Sequence, residues 1–228
     1  DTEDVDESLS AIFAGGNILL QSGEPDEDPA ENDNDISLEA SVVSNSGSIS
    51  IVSADGISQG SYGNIETRTA EKSIDVFAAD EISMADGATT TAFDSAGIRY
   101  YAQGGTLTLG RIDSGSGNVS LYASTGIIDS GTGDVDVTAS TLRIQTETGQ
   151  AGGAGQSGNH LETRVAILSA DVDSGGLFLT ERNTLKVGQT AEIVVNRVKA
   201  DGTVTDSSVS DAAQSDLSSE GAIVLQTT

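Results

Sequence analysis

The stretch EPDEDPAENDND (24–35) concentrates the residue types that bind hard cations. Its carboxylates stand at nearly alternate positions with asparagine amides between them, and Ca²⁺ prefers about six to eight such oxygen ligands. The stretch is not an EF-hand, because the central Gly and the terminal Glu of that loop are missing. It predicts either a calcium site or a solvated acidic loop inserted into the fold. The candidate ligands are Asp26, Asp28, Glu31, Asp33 and Asp35.

Two other features contain residues that could do catalytic chemistry. His160, the only histidine, follows a glycine-rich run that lacks the Lys-Ser/Thr of a phosphate-binding loop. Asp134 and Asp136, like Asp171 and Asp173, would share one face of a strand, and paired carboxylates can hydrolyse glycosidic bonds. However, neither pair has aromatic residues nearby for sugar stacking, and the basic residues are scattered. We therefore predict that the protein is not an enzyme, with a polysaccharide-degrading enzyme as an alternative.

Short phrases of alternating apolar and polar residues predict the strands that would position these groups. The phrases are GNILLQS (16–22), DISLEAS (35–41), GSISIVS (47–53), KSIDVFA (72–78), GTLTLGR (105–111), GNVSLYA (117–123), GDVDVTA (133–139), GGLFLTE (175–181) and GAIVLQT (221–227). The alternation predicts an interior of Ile49, Ile51, Ile74, Val76, Val119, Leu121, Val135 and Val137. It places four polar residues in water: Ser50, Asp75, Ser120 and Asp136.

Composition restricts both the fold and the partners. Of 228 residues, 36 are acidic and 10 basic, giving a formal net charge of −26, so nucleic acid and anionic membrane surfaces are unfavourable partners. No apolar run reaches the roughly 20 residues of a membrane span. Aromatic residues make up 4% and there is no cysteine. The protein therefore needs a thin aliphatic interior that is repeated many times.

The phrases recur in the order strand, turn, short strand, turn, strand, which predicts one coil of a parallel β-solenoid. Coils of roughly 20–30 residues fit the spacing of the phrases. We predict an all-β fold with few or no helices, forming a single unit over 1–228 with 24–35 as an acidic insert. GNILLQS and GAIVLQT are nearly alike, and Ile18 and Ile223 are 205 residues apart. The unit is accordingly predicted to be one ~205-residue repeat of a longer array.

Two segments resemble the repeats of filamentous-haemagglutinin-type exoproteins and other giant bacterial surface adhesins. They are GNVSLYASTGIIDSGTGDVDVTA (117–139) and LETRVAILSADVDSGGLFLTERNTLKVG (161–188). The resemblance implies a right-handed parallel β-helix that is exported to the bacterial cell surface and serves as a shaft, adhesin or filament. It transfers no functional residues, because such repeats carry none at fixed positions.

From these features we predict a structural repeat of an extracellular bacterial fibre, filament or adhesin shaft. The coils would stack in tandem or head to tail, so the main partner would be the protein itself, with Ca²⁺ as a possible cofactor. The alternative is an adhesin or carbohydrate-binding module that contacts cell-surface glycans. Its candidate aromatic contacts are Tyr100, Tyr101 and Tyr122.

Overall fold

The computed structural model describes residues 12–23 and 34–228. These residues form strands and connecting turns, with no helix among them. The strands are β1 (Ile12–Ala14), β2 (Ile18–Gln21), β3 (Ile36–Leu38), β4 (Val42–Ser44), β5 (Ile49–Ser53), β6 (Ile57–Gln59), β7 (Ile65–Thr67), β8 (Ile74–Ala78), β9 (Ile82–Met84), β10 (Thr89–Ala92), β11 (Ile98–Ala102), β12 (Thr106–Leu109), β13 (Arg111–Asp113), β14 (Asn118–Ala123), β15 (Gly126–Asp129), β16 (Val137–Thr146), β17 (Gly153–Ala154), β18 (Leu161–Val172), β19 (Gly176–Glu181), β20 (Lys186–Val187), β21 (Ile193–Asn196), β22 (Ser208–Asp211), β23 (Leu217–Ser219) and β24 (Ile223–Thr227).

Nearly all of these strands pair in parallel with strands one coil before and one coil after, which makes three ladders. The first ladder contains β1, β4, β7, β10, β13 and the N-terminal parts of β16 and β18. The second contains β2, β5, β8, β11, β14 and the C-terminal parts of β16 and β18. The third contains β3, β6, β9, β12, β15, β17 and the start of β19. The predicted parallel β-helix is confirmed.

We number the coils from the N-terminal side. Coil 1 is β1 to β3, each following set of three strands is one coil up to β15 in coil 5, and coil 6 is β16 and β17. Coil 7 is β18 with the start of β19, and coil 8 contains the end of β19 with β20, β23 and β24. Ile49 lies beside Ile74 and Ile98 beside Val119, steps of 25 and 21 residues. The predicted coil length is therefore confirmed.

Aliphatic columns fill the interior. In the second ladder Ile49, Ile74, Ile98, Val119 and Leu142 lie in register on consecutive coils, and each is fully buried. Burying one such side chain contributes roughly 1.5–3 kcal/mol, but only when a neighbouring coil covers it. Seven of the eight predicted inward residues are buried in this core. Val135 is the exception, because it lies before β16 and is only half-buried.

One segment leaves the ladders. Between β20 and β23, residues 188–216 turn away from coil 8 and run back over the outer side of the second ladder. Within this segment, which we call the arm, β21 and β22 pair in antiparallel fashion. The arm is the one part of the described chain that forms a second layer on the β-helix.

The two similar phrases, GNILLQS and GAIVLQT, occupy different positions in the coil. The first forms β2 in the second ladder, whereas β24 pairs along its whole length with β19, which starts in the third ladder. The two similar sequences thus form strands in different ladders, and the 205-residue repeat stays a prediction.

Candidate functional site

Three carboxylates from consecutive coils meet at one edge of the first ladder. Asp129 ends β15 in coil 5, Asp136 directly precedes β16 in coil 6, and Glu162 lies near the start of β18 in coil 7. One oxygen from each lies within 4.8 Å of the others. The backbone brings them together, because the amide of Asp136 donates to the carbonyl of Glu162 at 2.8 Å in the ladder. We call these three residues the acidic cluster.

Backbone amides satisfy only part of the acidic cluster. The amide of Glu162 donates to Oδ2 of Asp136 at 2.7 Å, and the amide of Gly131 donates to Oδ1 of Asp129 at 2.8 Å. Oδ2 of Asp129 and Oε2 of Glu162 are enclosed and have no hydrogen-bond donor. Arg182 is the nearest cation, with its Nη2 atom 4.0 Å from Oε1 of Glu162. The cluster therefore carries more negative charge than its surroundings neutralise.

Burial and mutual repulsion favour protonation, which removes part of this excess negative charge. Burial, followed by the negative charge of Asp129, raises the pKa of Asp136 to about 9 from its ordinary value of 3.8. Burial and Asp129 also raise the pKa of Glu162, while Arg182 acts in the opposite direction. At neutral pH, Asp136 consequently holds a proton that it can donate to Asp129. Chemically, the three oxygens can share a proton, and they are also of the kind that could hold a hard cation.

Two members of the acidic cluster, Asp129 and Asp136, line a surface cleft of about 400 Å³. Asp86 and Asp134 add carboxylates to its wall, and Arg111 and Arg164 add positive charge. Among the described residues that line the cleft, none is aromatic, so it offers no ring face for a sugar to stack on. Val135 gives the cleft an apolar part, but its carboxylates and guanidinium groups favour small hydrated ligands or protons over apolar ones.

The predicted calcium ligands lie elsewhere. Asp26, Asp28, Glu31 and Asp33 are outside the described residues. Asp35 is described, and its Oδ1 accepts a hydrogen bond from the amide of Gly56, one coil further on, at 2.8 Å. It lines a small groove with other acidic residues, Asp55, Asp80 and Glu81. The structure thus gives Asp35 a role in joining coils 1 and 2, and the calcium site stays a prediction.

A second group of polar residues is buried beneath the arm. Ser50, Asp75 and Ser120 were predicted to face water, as was Asp136, and all four are buried. The first three do lie on the outer side of the second ladder, but the arm covers them there, whereas Asp136 is enclosed in the acidic cluster. The prediction was wrong because alternation identifies the two sides of a strand and cannot show whether the outer side is covered.

Four of the charges under the arm are paired. The Oδ1 atom of Asp75 accepts from Nη1 of Arg99 at 3.1 Å, and its Oδ2 accepts from Nε of Arg197 in the arm at 2.6 Å. Nε of Arg99 also donates to Oδ2 of Asp211 in the arm at 3.1 Å. Two arginines and two aspartates therefore form a network, which we call the arm network, between coils 3 and 4 and the arm.

The tyrosines suggested as glycan contacts divide into two kinds. Tyr100 is fully buried inside the β-helix, where its hydroxyl lies 2.6 Å from Oγ1 of Thr90 and donates to Oε1 of Gln59 at 3.0 Å. Burial raises its pKa. It is unavailable to a glycan, so this part of the interpretation needs correction.

Tyr101 and Tyr122 lie on the outer side of the second ladder, beside the arm. Their rings stack with centroids 4.1 Å apart, and Phe77 continues the stack at 5.8 Å from Tyr101. The guanidinium of Arg99 lies 4.3 Å from the centroid of Tyr101. Because neighbouring rings cover one another's faces, this aromatic column mainly fixes the register of adjacent coils.

Comparison with known proteins identifies no relative: no family model, no curated protein and no solved structure matches the chain. Among the described residues, no helix is both long enough and apolar enough to cross a bilayer. The residues themselves are thus the basis for any functional conclusion.

Sequence reasoning missed the acidic cluster and the arm network. Asp136 was noted as half of a pair with Asp134, which is exposed, and as a residue facing water, but it was not connected with Asp129 or Glu162. The usable signal was the coil length, because Asp136 and Glu162 are 26 residues apart and so lie one coil apart. The arm network offered no comparable signal, since Asp75 and Arg197 are separated by 122 positions.

Proposed function

We propose that this protein is a structural segment of an extracellular bacterial fibre, filament or adhesin shaft. One observation carries the proposal: the second ladder pairs without interruption from β2 to β18, and its outer charged residues are used to fasten the arm. In such a structure the charged side chains serve to hold the coils and the arm together. The residue phrases that resemble surface-adhesin repeats agree with this proposal.

The mechanism is stacking. Each coil adds three short parallel strands and one layer of the aliphatic columns, at the strand spacing of about 4.8 Å. Stability is then distributed along the axis, and further coils or further copies can extend the rod by the same contacts. Self-association, in tandem or head to tail, is the partner interaction that this architecture favours.

Calcium binding belongs to the same proposal. The protein has a net charge of −26, and its acidic residues repel one another along a narrow rod. A divalent cation bound at 24–35 would relieve this repulsion at coil 1, where Asp35 joins the next coil. The proposed ligands are those named from the sequence.

Electron microscopy with and without millimolar Ca²⁺ tests the structural proposal. We expect rods or fibres with a uniform width set by one β-helix, and an axial repeat that is a multiple of about 4.8 Å. Discrete particles without axial order, at every protein concentration used, would contradict it. Calcium binding is tested separately by comparing a variant in which the five proposed ligands become amides with one altered at five exposed acids elsewhere. The control positions are Glu71, Glu147, Asp171, Glu192 and Asp206.

The aromatic column supports a second candidate, glycan binding, because Tyr101 and Tyr122 keep their outer edges accessible. A glycan array with the wild type and Tyr122→Ala distinguishes the two functions. Binding that is lost in this variant would favour the adhesin module, whereas no binding to any glycan would leave the column with its role in coil register.

A further inference from the structure

The arm is inserted into one strand of coil 8. β20 pairs with Ile167 and Leu168 of coil 7, and β23 pairs with the same strand from Ala170 onward. The two short strands are therefore the halves of one strand of coil 8, and residues 188–216 are inserted between them. Because both ends are fixed in the ladder, the arm cannot leave the β-helix as a free tail.

Near its base the arm is fastened to coils 6 and 7. Oγ1 of Thr190 lies 2.8 Å from Oγ of Ser169, and Gln214 donates through Nε2 to the carbonyl of Ile144 at 3.0 Å. Nε of Arg143 donates to the carbonyl of Ala212, also at 3.0 Å. Backbone bonds between Thr190 and Gln214 hold the two sides of the arm together at this point.

Farther out, the arm contacts every coil back to the first. The arm network fixes it to coils 3 and 4. The amide of Asn196 donates to Oγ of Ser73 in the turn before β8 at 2.7 Å, and the amide of Val198 donates to Oγ of Ser50 in coil 2 at 2.8 Å. Nδ2 of Asn17, in coil 1, donates to the carbonyl of Gly202 at 2.9 Å.

Apolar contacts accompany these hydrogen bonds. Ile193, Val195 and Val198 are buried against the second ladder, while Val194, between the first two, is 50% exposed. Gly97 lies beneath this part of the arm, and a Cβ atom there would come within 3.3 Å of Val194 and Val195. The arm is thus seated on a surface whose shape matches it.

We propose that the arm is a longitudinal tie that makes the coils unfold together and shares tension applied along the axis. In a β-helix without such an element, each coil contacts only its neighbours, so end coils open one at a time. Here, opening coil 2 or coil 3 also breaks contacts with an arm that is anchored in coil 8. The inference concerns the folded rod itself and holds whether or not the rod belongs to a surface fibre.

Hydrogen exchange in the full chain tests the tie with two adjacent valines. Val195→Asp puts a charge under the arm, and Val194→Asp puts the same charge on its exposed side. We expect amides of β5 and β8 to exchange at least about tenfold faster in Val195→Asp than in wild type, with Val194→Asp unchanged. Exchange in β14 and β16, nearer the anchor, should rise less.

If Val195→Asp does not fold, the pair Val195→Ala and Val194→Ala gives the same comparison with a smaller change. Equal exchange in β5 and β8 for both members of a pair would overturn the proposal, because an undocked arm would then have no effect on distant coils. A uniform increase along all coils in the buried variant would also overturn it. That result would indicate general destabilisation without a tie.

Discussion

Two clusters of buried charge join coils in this protein, and they differ in how far positive charges compensate the negative ones. The arm network contains two arginines and two aspartates within direct hydrogen-bond distance. The acidic cluster contains three carboxylates, and its nearest arginine lies 4.0 Å from one of them. In the first, every charge has a partner of opposite sign, whereas the second must take up a proton or a cation to be stable.

The comparison indicates why only one cluster should depend on pH near neutrality. In the acidic cluster the pKa of Asp136 rises to about 9, so at neutral pH the folded protein keeps a proton that the unfolded chain has lost. Its stability therefore falls as pH rises through neutrality. The arm network instead contributes through paired charges whose removal one at a time is costly. Substitutions that alter one cluster and leave the other intact test this difference, and their expected effects range from several kcal/mol to almost none.

The largest effect is expected from Arg99→Met. The substitution leaves Asp75 and Asp211 buried with reduced compensation, and breaking a buried ion pair typically costs about 3–5 kcal/mol in the free energy of unfolding. Arg68→Met is the control, because Arg68 pairs with Glu66 at the surface and its side chain is 46% exposed. That change should leave the free energy of unfolding nearly unchanged, because solvent screens the exposed pair. Urea unfolding of both variants measures the difference, and equal small losses would contradict a role for the arm network.

An intermediate effect of opposite sign is expected from Asp136→Asn. Because the pKa of Asp136 in the folded protein lies above its unfolded value, the folded state binds an extra proton between about pH 4 and pH 9. Wild-type stability should therefore fall as pH rises through this window. Asparagine mimics the protonated form and removes that loss, so the variant should be more stable than wild type by about 1–3 kcal/mol at pH 7.

Urea unfolding at pH 4, 7 and 9 checks this prediction. The advantage of Asp136→Asn should be small at pH 4 and greatest at pH 9, and Asp134→Asn, altering an exposed neighbour, is the control. A variant that is less stable than wild type at pH 7, with the loss appearing only when Ca²⁺ is present, would show that the cluster holds a cation instead of a shared proton.

The smallest effect is expected from Arg182→Gln. Arg182 lowers the pKa of Glu162 more than His160 does, so the removal of Arg182 should raise that pKa further. The accompanying loss of stability should be about 0–1 kcal/mol, because the side chain is one-third exposed and the charges are 4.0 Å apart. Arg68→Gln, which breaks the exposed pair with Glu66, is a matched control. If Arg182→Gln lost more stability than Arg99→Met, Arg182 would be neutralising the carboxylates of the acidic cluster. That result would contradict the uncompensated charge described above.

The fold could be predicted because its signal is local. Alternation over five residues suffices to place Ile49 and Ile51 inside, and the recurrence of such phrases predicts the coil. The burial of Asp75 could not be predicted, since it depends on an arm more than a hundred residues away in sequence. The acidic cluster falls between these cases. Asp136 and Glu162 are one coil length apart, but Asp129 is only seven residues before Asp136, and the coil length varies, so the register had to be known first.

Pulling single molecules from end to end tests the central claim, a rod whose coils are tied into one unit, most directly. We predict that the full chain resists extension until the arm and the coils beneath it release together in one large step. Val195→Asp should instead lengthen in several smaller steps at lower force, beginning at coils 1 to 3. Stepwise release of single coils in the wild type, at the same forces as in the variant, would contradict the account.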